Sequence, residues 1–467
     1  MVSMKEKVLV LGGGMTGLGA GLSGLPVYEA EESPGGICSS YYVRSGDSQR
    51  LHTRPTDGKA YRFELGGGHW IFGGDALVLK LISSLVPVKK YARRSAIWLS
   101  REGLLVPYPI QNHLRYLGPH RAAVCLREIL EAAMTRRSSS TMAEWLRHSF
   151  GPTLYELFFG PFHKLYTAGL FEKIAPQDPH KSPFDINLVV EGAFRETKAV
   201  GYNTTFVYPV DGLNTLAERM AAQGSVRYGK RAVRVDPDAK EVEFADGTLA
   251  HYEVLLSTLP LNRMMAMTGL KTIAPPDPSP SVLVVNIGAQ RGPHCPDEHW
   301  VYVPHSRAGF HRVGFYSNVD ASFLPVGARA EELVSIYVEK AFGEDEKPSR
   351  QEISAFCQMV VEELKEWGWI GPVDVIDPTW IDVAYTWSWV GSHWRSEALA
   401  ALESKGIYQV GRYARWVFQG IADSIRDGLL AGVAMRACSQ VSSLENGAQL
   451  VGKFTSSDGT DKRDAMD

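Results

Sequence analysis

Val8-Leu9-Val10-Leu11 is a short uninterrupted apolar run, the mark of a strand buried on both faces. A glycine-rich turn from Gly12 to Gly17 follows, then a brief helical stretch, then Pro26-Val27-Tyr28-Glu29 as a second strand. The pattern predicts a strand–turn–helix–strand unit. Between 120 and 148 the apolar positions Ala122, Val124, Leu126, Ile129, Leu130 and Met134 keep helical spacing. The spacing breaks over 138–141, and Thr141 with Glu144 three residues on predicts a capping box opening the next helix. Past Glu241 the period changes to two, and Asp246-Gly247 predicts a hairpin turn. Residues 281–287, 299–303 and 312–316 read as further strands between Pro, Gly and Ser, and 406–411 as another that ends in glycine. Residues 421–438 read as a helix, and from 442 the chain turns polar, which predicts a disordered tail over 442–467. Runs of strands kept apart from runs of helices place an α+β unit beside an α/β one.

Composition narrows the class. The length of 467 residues leaves room for three units at about 150 residues each. Hydrophobic residues at 45% and charged residues at 22% exclude wholesale disorder. Lys plus Arg at 49 against Asp plus Glu at 52 gives a net charge of -3, which argues against nucleic acid or an anionic membrane as partner. No apolar run reaches the roughly 20 residues of a membrane helix. The chain passes from Met1 through Lys7 straight into a strand, with no room for a signal peptide. Cys38, Cys125, Cys295, Cys357 and Cys438 are odd in number and far apart, which predicts a reducing, cytoplasmic setting rather than disulfides or zinc. Metal-ligand spacing, a nucleophile elbow and a Walker loop are all missing, so no metal is expected.

Gly12-x-Gly14-x-x-Gly17 has the spacing of a Rossmann-like dinucleotide turn, with Met15 and Thr16 opening its helix. The first glycine permits the turn, the second admits a pyrophosphate to the backbone, and the third lets the helix pack closely. Glu29, at the end of the second strand, is placed to hold ribose hydroxyls. Such an acid usually lies about 20 residues past the motif. Here eleven residues separate it from Gly17, so the crossover helix must be one or two turns short. Gly35-Gly36 and Gly66-Gly67-Gly68-His69 add bare backbone amides suited to a flat or anionic group. A second glycine loop exceeds what NAD needs and points to FAD. The competing readings are a ligand-free turn and, for His69, a core histidine.

These features together resemble FAD enzymes of the amine oxidase and protoporphyrinogen oxidase type. Further segments are similar to UDP-galactopyranose mutases, particularly their eukaryotic-type branch. These are 106–112 with Tyr108 and Gln111, 161–166 with His163 and Tyr166, 206–212, the pair Tyr302 and Arg312 ten residues apart, and Gly411-Arg412-Tyr413. The resemblance runs in order from about residue 7 to 435 and departs where the family carries hydroxyl or amide contacts to a diphosphate. Phe418, Ala422 and Ser392 stand there instead. It implies an α/β fold with a discontinuous FAD-binding domain (1–85, 205–268, 403–440), a helical subdomain (112–195) and a mostly antiparallel sheet for substrate (269–402).

The activity implied is a redox-neutral exchange of pyranose for furanose in a nucleotide-linked hexose, begun by N5 of reduced FAD at the anomeric carbon. NADPH or another donor would supply the reducing power. Cofactor contacts are implied for Gly12, Gly14, Met15, Thr16, Gly17, Glu29, Gly35, Gly36, Gly67, Gly68, His69, Gly411 and Arg412. Arg312 and Arg412 would meet the diphosphate, since a guanidinium fork grips phosphate oxygens bidentately. Tyr302 would donate a hydroxyl, Tyr108, Gln111, His163 and Tyr166 would meet base and ribose, and Phe418 would line the sugar site. His69 would sit over the flavin. The rival is a true flavin oxidoreductase of the amine oxidase or desaturase type, favoured by the three departures; a binding protein without turnover would need the same loops. Trp367, Trp369, Trp380, Trp387, Trp389 and Trp394 read as core, with Trp387 and Trp389 on one face of a strand. A homo-oligomer stays open.

Overall fold

The computed structural model describes residues 3–135, 137–177, 184–197, 204–344 and 346–455. Strand Ser3–Leu11 lies in a seven-stranded sheet whose members come from three stretches of chain. Pro26–Tyr28 and then Ser225–Arg227 pair parallel on one side of it, and Leu249–Ser257 on the other. The last strand is long enough to serve two partners. Its first half takes the hairpin strand Glu241–Phe244 antiparallel, followed by Ala232–Asp236, and its second half takes Ile407–Gln409 parallel. Fully buried Leu9, Val10 and Val27 explain the apolar runs, since both faces of this sheet are covered.

The crossover helix Met15–Gly21 has seven residues, all buried, as the short Gly17-to-Glu29 spacing requires. It packs on the long helix Ile421–Thr455 at glycines. A Cβ at Gly19 would stand 2.5 Å from the Ile425 carbonyl oxygen, and one at Gly428 would overlap that of Thr16. That long helix carries the backbone through 442–455, where a tail without structure was expected; 456–467 lie outside the described residues. Among the described residues no helix is long and apolar enough to cross a membrane.

The second large sheet runs Ile370–Ile381, Ser281–Arg291, Leu333–Phe342, Arg312–Phe315, Trp300–Tyr302, Ser95–Leu99, Leu104–Pro107. All neighbours are antiparallel except Trp300–Tyr302 with Ser95–Leu99. Its last two strands come from before the helical unit, so the sheet reaches outside 269–402. Helix Arg350–Glu366 seals one face with Phe356, Val360 and Leu364. The other face looks toward the first sheet.

Helices Pro119–Thr135, Met142–Leu154, Gly160–Tyr166 and Ile186–Phe194 form the helical unit around Ile129, Leu146, Phe150 and Phe159. Both halves of the Thr141–Glu144 capping box are made. A π turn, Tyr155–Phe159, precedes Gly160. Trp387 and Trp389 do not share a strand. Their backbone amides bond to the Pro278 carbonyl and the Asp277 side chain, so tertiary contacts override the alternating pattern. The core reading of the tryptophans fits their packing: Trp367 and Trp369 meet Trp98, and Trp394 meets Trp416. Trp380 is different, because it reaches the wall of the central cavity.

Candidate active site

One long cavity of about 1040 Å³ begins at the glycine turn of the first sheet, passes between the two sheets, and ends against the helical unit. Its first end is built from backbone. Gly12 has φ +94°, which an L side chain rarely adopts, and the turn it makes brings Gly14 to the wall. Nothing lies within 4 Å of where a Cβ on Gly14 would stand, whereas one on Gly17 would overlap the Gly12 carbonyl. The second glycine thus faces open space and the third is a packing contact. Glu29 accepts from the backbone N–H of Gly13 at 2.5 Å and of Glu31 at 2.8 Å, which aims its carboxyl along the wall. Burial raises its pKa, and those two amides pull against the rise. Gly35 bonds to the Gly13 carbonyl at 2.8 Å, so the Gly35-Gly36 loop continues the cradle.

The middle of the cavity carries Gly66, Gly68, His69, Cys38 and Arg412. His69 Nδ1 lies 3.3 Å from the Gly67 carbonyl, so that nitrogen carries the proton. Burial and the nearby Arg412 charge push the His69 pKa down to about 4, and the ring is neutral at pH 7. Burial pushes the Cys38 thiol up to about 12, which makes it unreactive. Arg412 donates from Nη1 to the Gln419 carbonyl at 3.1 Å and stacks 4.9 Å from the Phe418 ring. Its buried Nε has no partner among the described residues. An orphaned guanidinium nitrogen is costly in a dry site. With the open space at Gly14, it is the arrangement a flavin dinucleotide fits: Gly12, Gly14, Met15, Thr16, Glu29 and Gly35-Gly36 for its nucleotide half, and Gly66, Gly68 and His69 with Arg412 for its ring.

The far end holds Arg312, Glu339, Tyr302, Tyr337 and Tyr385, and then Tyr108, Phe162, His163 and Tyr166 from the helical unit. Arg312 and Glu339 face each other in register across adjacent strands. Arg312 Nε donates to Glu339 at 3.0 Å and Nη2 at 2.5 Å, while Nη1 has no partner among the described residues. Burial works against the Glu339 carboxylate, but Arg312, with His311 beside it, holds its pKa down at about 2. The Tyr108 and Tyr302 rings lie 4.8 Å apart at 54°. His163 donates from Nδ1 to the Phe159 carbonyl at 2.7 Å, which fixes its ring on the π turn.

Most of the residues expected from the sequence therefore meet on one wall. Gly17, Gly67, Gly411 and Gln111 do not reach it. Gly67 is pressed against Glu339, Gly411 against Thr16, and Gln111 is buried at 1% exposure in the turn Ile110–Asn112. Of the three departures only Phe418 lies on the wall. Ala422 packs under Gly74, and Ser392 belongs to a separate shallow depression. Sequence reasoning missed Glu339, Tyr337 and Tyr385. A charged residue on an inward position of the apolar run 333–342 was the signal available for Glu339.

Residues 23–435 match the family of flavin containing amine oxidoreductases, and the chain belongs to that family. Membership implies a bound flavin. Among solved structures the chain is similar to a reduced UDP-galactopyranose mutase, at 22% identity and a TM-score of 0.78 over 91% of this chain and 94% of that one. It is also similar to an oxidoreductase from Methanosarcina mazei, at 14% identity and a TM-score of 0.57 over 91% and 99%. A double mutant of putrescine oxidase matches at 14% identity and 0.56 over 93% and 100%. At these identities the likeness is one of fold.

Proposed function

We propose that the chain is an FAD-dependent mutase that interconverts the pyranose and furanose forms of a nucleotide-diphosphate hexose, in the manner of the eukaryotic-type UDP-galactopyranose mutases. One observation carries the reading. Among the described residues Arg312 Nη1 and Arg412 Nε are guanidinium nitrogens without partners, and both residues line one cavity, between a glycine cradle and an aromatic arm. Two such nitrogens call for an anion, and the flanking surfaces suit a flavin on one side and a nucleobase on the other. Reduced FAD supplies the nucleophile, its N5, when bound.

The chain's own residues have three tasks. Arg312 and Arg412 stabilise the departing diphosphate, Tyr302 adds a hydroxyl, and Tyr108 with Phe162 flanks the base. His69, neutral and tied to the loop carbonyl, holds the glycine loop rather than moving protons. The enclosing aromatic wall keeps water from the sugar carbon. NADPH or another donor supplies the reducing power.

Family membership and the apolar Phe418 favour a second reading, oxidation of a non-nucleotide substrate. Against an amine substrate stands the occupancy of the carboxylate among the tyrosines: Glu339 already holds a cation, Arg312. A second cation there would meet two guanidiniums.

The test is an anaerobic assay of dithionite-reduced holoprotein with UDP-galactopyranose and its thymidine and guanosine counterparts. Furanose product with no net loss of electrons is expected, and Arg312→Ala should keep its flavin while nucleotide-sugar affinity falls about tenfold or more. Bleaching of oxidised flavin by an amine, with no nucleotide sugar bound, would replace the mutase by the oxidoreductase.

A further inference from the structure

The wall of the cavity holds a buried carboxylate that the proposed reaction does not use. Glu339 is 2% exposed, in strand Leu333–Phe342. Four groups converge on it: Arg312 Nε and Nη2, the Tyr385 hydroxyl at 3.3 Å, and His311 Nε2 at 3.5 Å. Beneath it, a Cβ on Gly67 would stand 2.7 Å from Oε1, so the loop that carries His69 rests directly on this side chain.

A carboxylate so placed has two effects on an anion that arrives at Arg312 Nη1. It locks the guanidinium plane, because two of the three nitrogens are already bonded. It also offsets the guanidinium charge, because a ligand oxygen at Nη1 lies only a few ångströms farther from the carboxylate than from the cation, in a poorly screened site. That arrangement limits charge-driven affinity rather than maximising it. The limit falls hardest on the ligand with most charge. A free nucleoside diphosphate carries one more negative charge than the same diphosphate esterified to a sugar.

We propose, resting on the nucleotide-diphosphate reading above, that Glu339 is a positioning residue that sets selectivity. It holds Arg312 with Nη1 toward the ligand and tempers the site's charge, so that the sugar-linked diphosphate is taken in preference to the free one. Base and sugar contacts then decide binding, and a hydrolysed nucleotide does not clog the site.

The experiment uses FAD-loaded protein, oxidised for binding and reduced for turnover, as wild type, Glu339→Gln and Glu339→Asp. Each is titrated with UDP and with UDP-galactopyranose at low and high salt, and the visible flavin spectrum checks the fold. Glutamine keeps one accepting oxygen for Arg312 and turns the other into an amide N–H donor, so it removes the charge and one acceptor, and the flavin spectrum and Glu339→Asp control for the lost bond. Glu339→Gln should bind UDP about tenfold tighter, with steeper salt dependence, and gain less for UDP-galactopyranose. Turnover should fall while KM does not rise, and Glu339→Asp should return the wild-type preference. A Glu339→Gln protein with a native flavin spectrum and unchanged or weaker UDP affinity overturns the role of Glu339 and leaves the mutase reading intact. Failure of every variant to bind UDP overturns both.

Discussion

Gly14 and Gly17 sit three residues apart in the same turn, yet they are glycine for different reasons. Gly14 borders empty space, while Gly17 touches the Gly12 carbonyl. Gly14→Ala should therefore leave the melting temperature of the apoprotein within a degree or so and lower FAD affinity about tenfold or more, since the methyl enters the pyrophosphate's space. Gly17→Ala should destabilise apoprotein and holoprotein alike by roughly 1–3 kcal/mol, the cost of overpacking. Thermal melts with and without FAD separate the two, and equal loss in both variants would refute the assignment. The spacing of three glycines was legible because each position answers a local backbone demand. Arg312 and Tyr302 were legible through their ten-residue interval, which the structure turns into a cross-strand pair. Glu339 and Tyr337 were not, because they join the site through sheet register between segments far apart in sequence, and Tyr385 reaches Glu339 from the irregular segment after strand Ile370–Ile381. Gln111 stands apart from the cavity wall: it is buried in the turn Ile110–Asn112, whose Ile110 packs in the helical core, and no local pattern says so.

Helices Met15–Gly21 and Ile421–Thr455 show how one element holds another in place. They cross where Gly19, Gly428 and Gly432 bring backbone to backbone, just behind the glycine turn. In an exposed helix Gly→Ala gains about 1 kcal/mol of helix propensity. At Gly428 the new methyl would overlap the Thr16 carbonyl, and a backbone atom cannot give way cheaply. Gly428→Ala is therefore expected to lower both the melting temperature and FAD occupancy, read from the flavin-to-protein absorbance ratio; a gain in stability would show that the crossing tolerates separation. The sequence revealed the short crossover helix through the distance to Glu29, and the helix at Met142 through its capping box. It did not reveal strands Leu333–Phe342 and Ile370–Ile381, nor the pair 95–99 and 104–107. The first is buried on both sides and the second is interrupted by Gly and Pro, so no clean period of two marks them, and the pair is marked only by its short loop ending in Gly103. The Trp387–Trp389 alternation failed in the opposite sense, since bonds to 277 and 278 hold that segment outside any sheet.

Burial at the scale of the whole molecule also fixes how its stability answers to acid. His69, His113 and His299 are each pushed down to about 4, burial being the main cause in every case. An unfolded chain protonates such residues near 6.5. Between 6.5 and 4 the unfolded state therefore binds protons that the folded state refuses, and stability falls as pH drops through that window. Glu64 acts in the other direction. Burial raises it to about 7, so from 4.5 to 7 the folded state holds a proton that the unfolded state has released, and stability falls as pH rises. Burial also lowers His305 and raises Glu29 and Glu298, so four histidines stand against three carboxyls, and the histidines set the sign between pH 6.5 and 5. Glu339, held at about 2, contributes nothing in this range, because it is ionised in both states above 4.5. Thermal unfolding of the holoprotein should thus show a melting temperature that declines from pH 7.5 to 5.5. Glu64→Gln, which removes the opposing group, should steepen the decline by about one proton. A melting temperature that stays level or rises over the same interval would mean that the histidines gain charge partners in the folded protein, and that neutrality of His69 is not what its burial dictates.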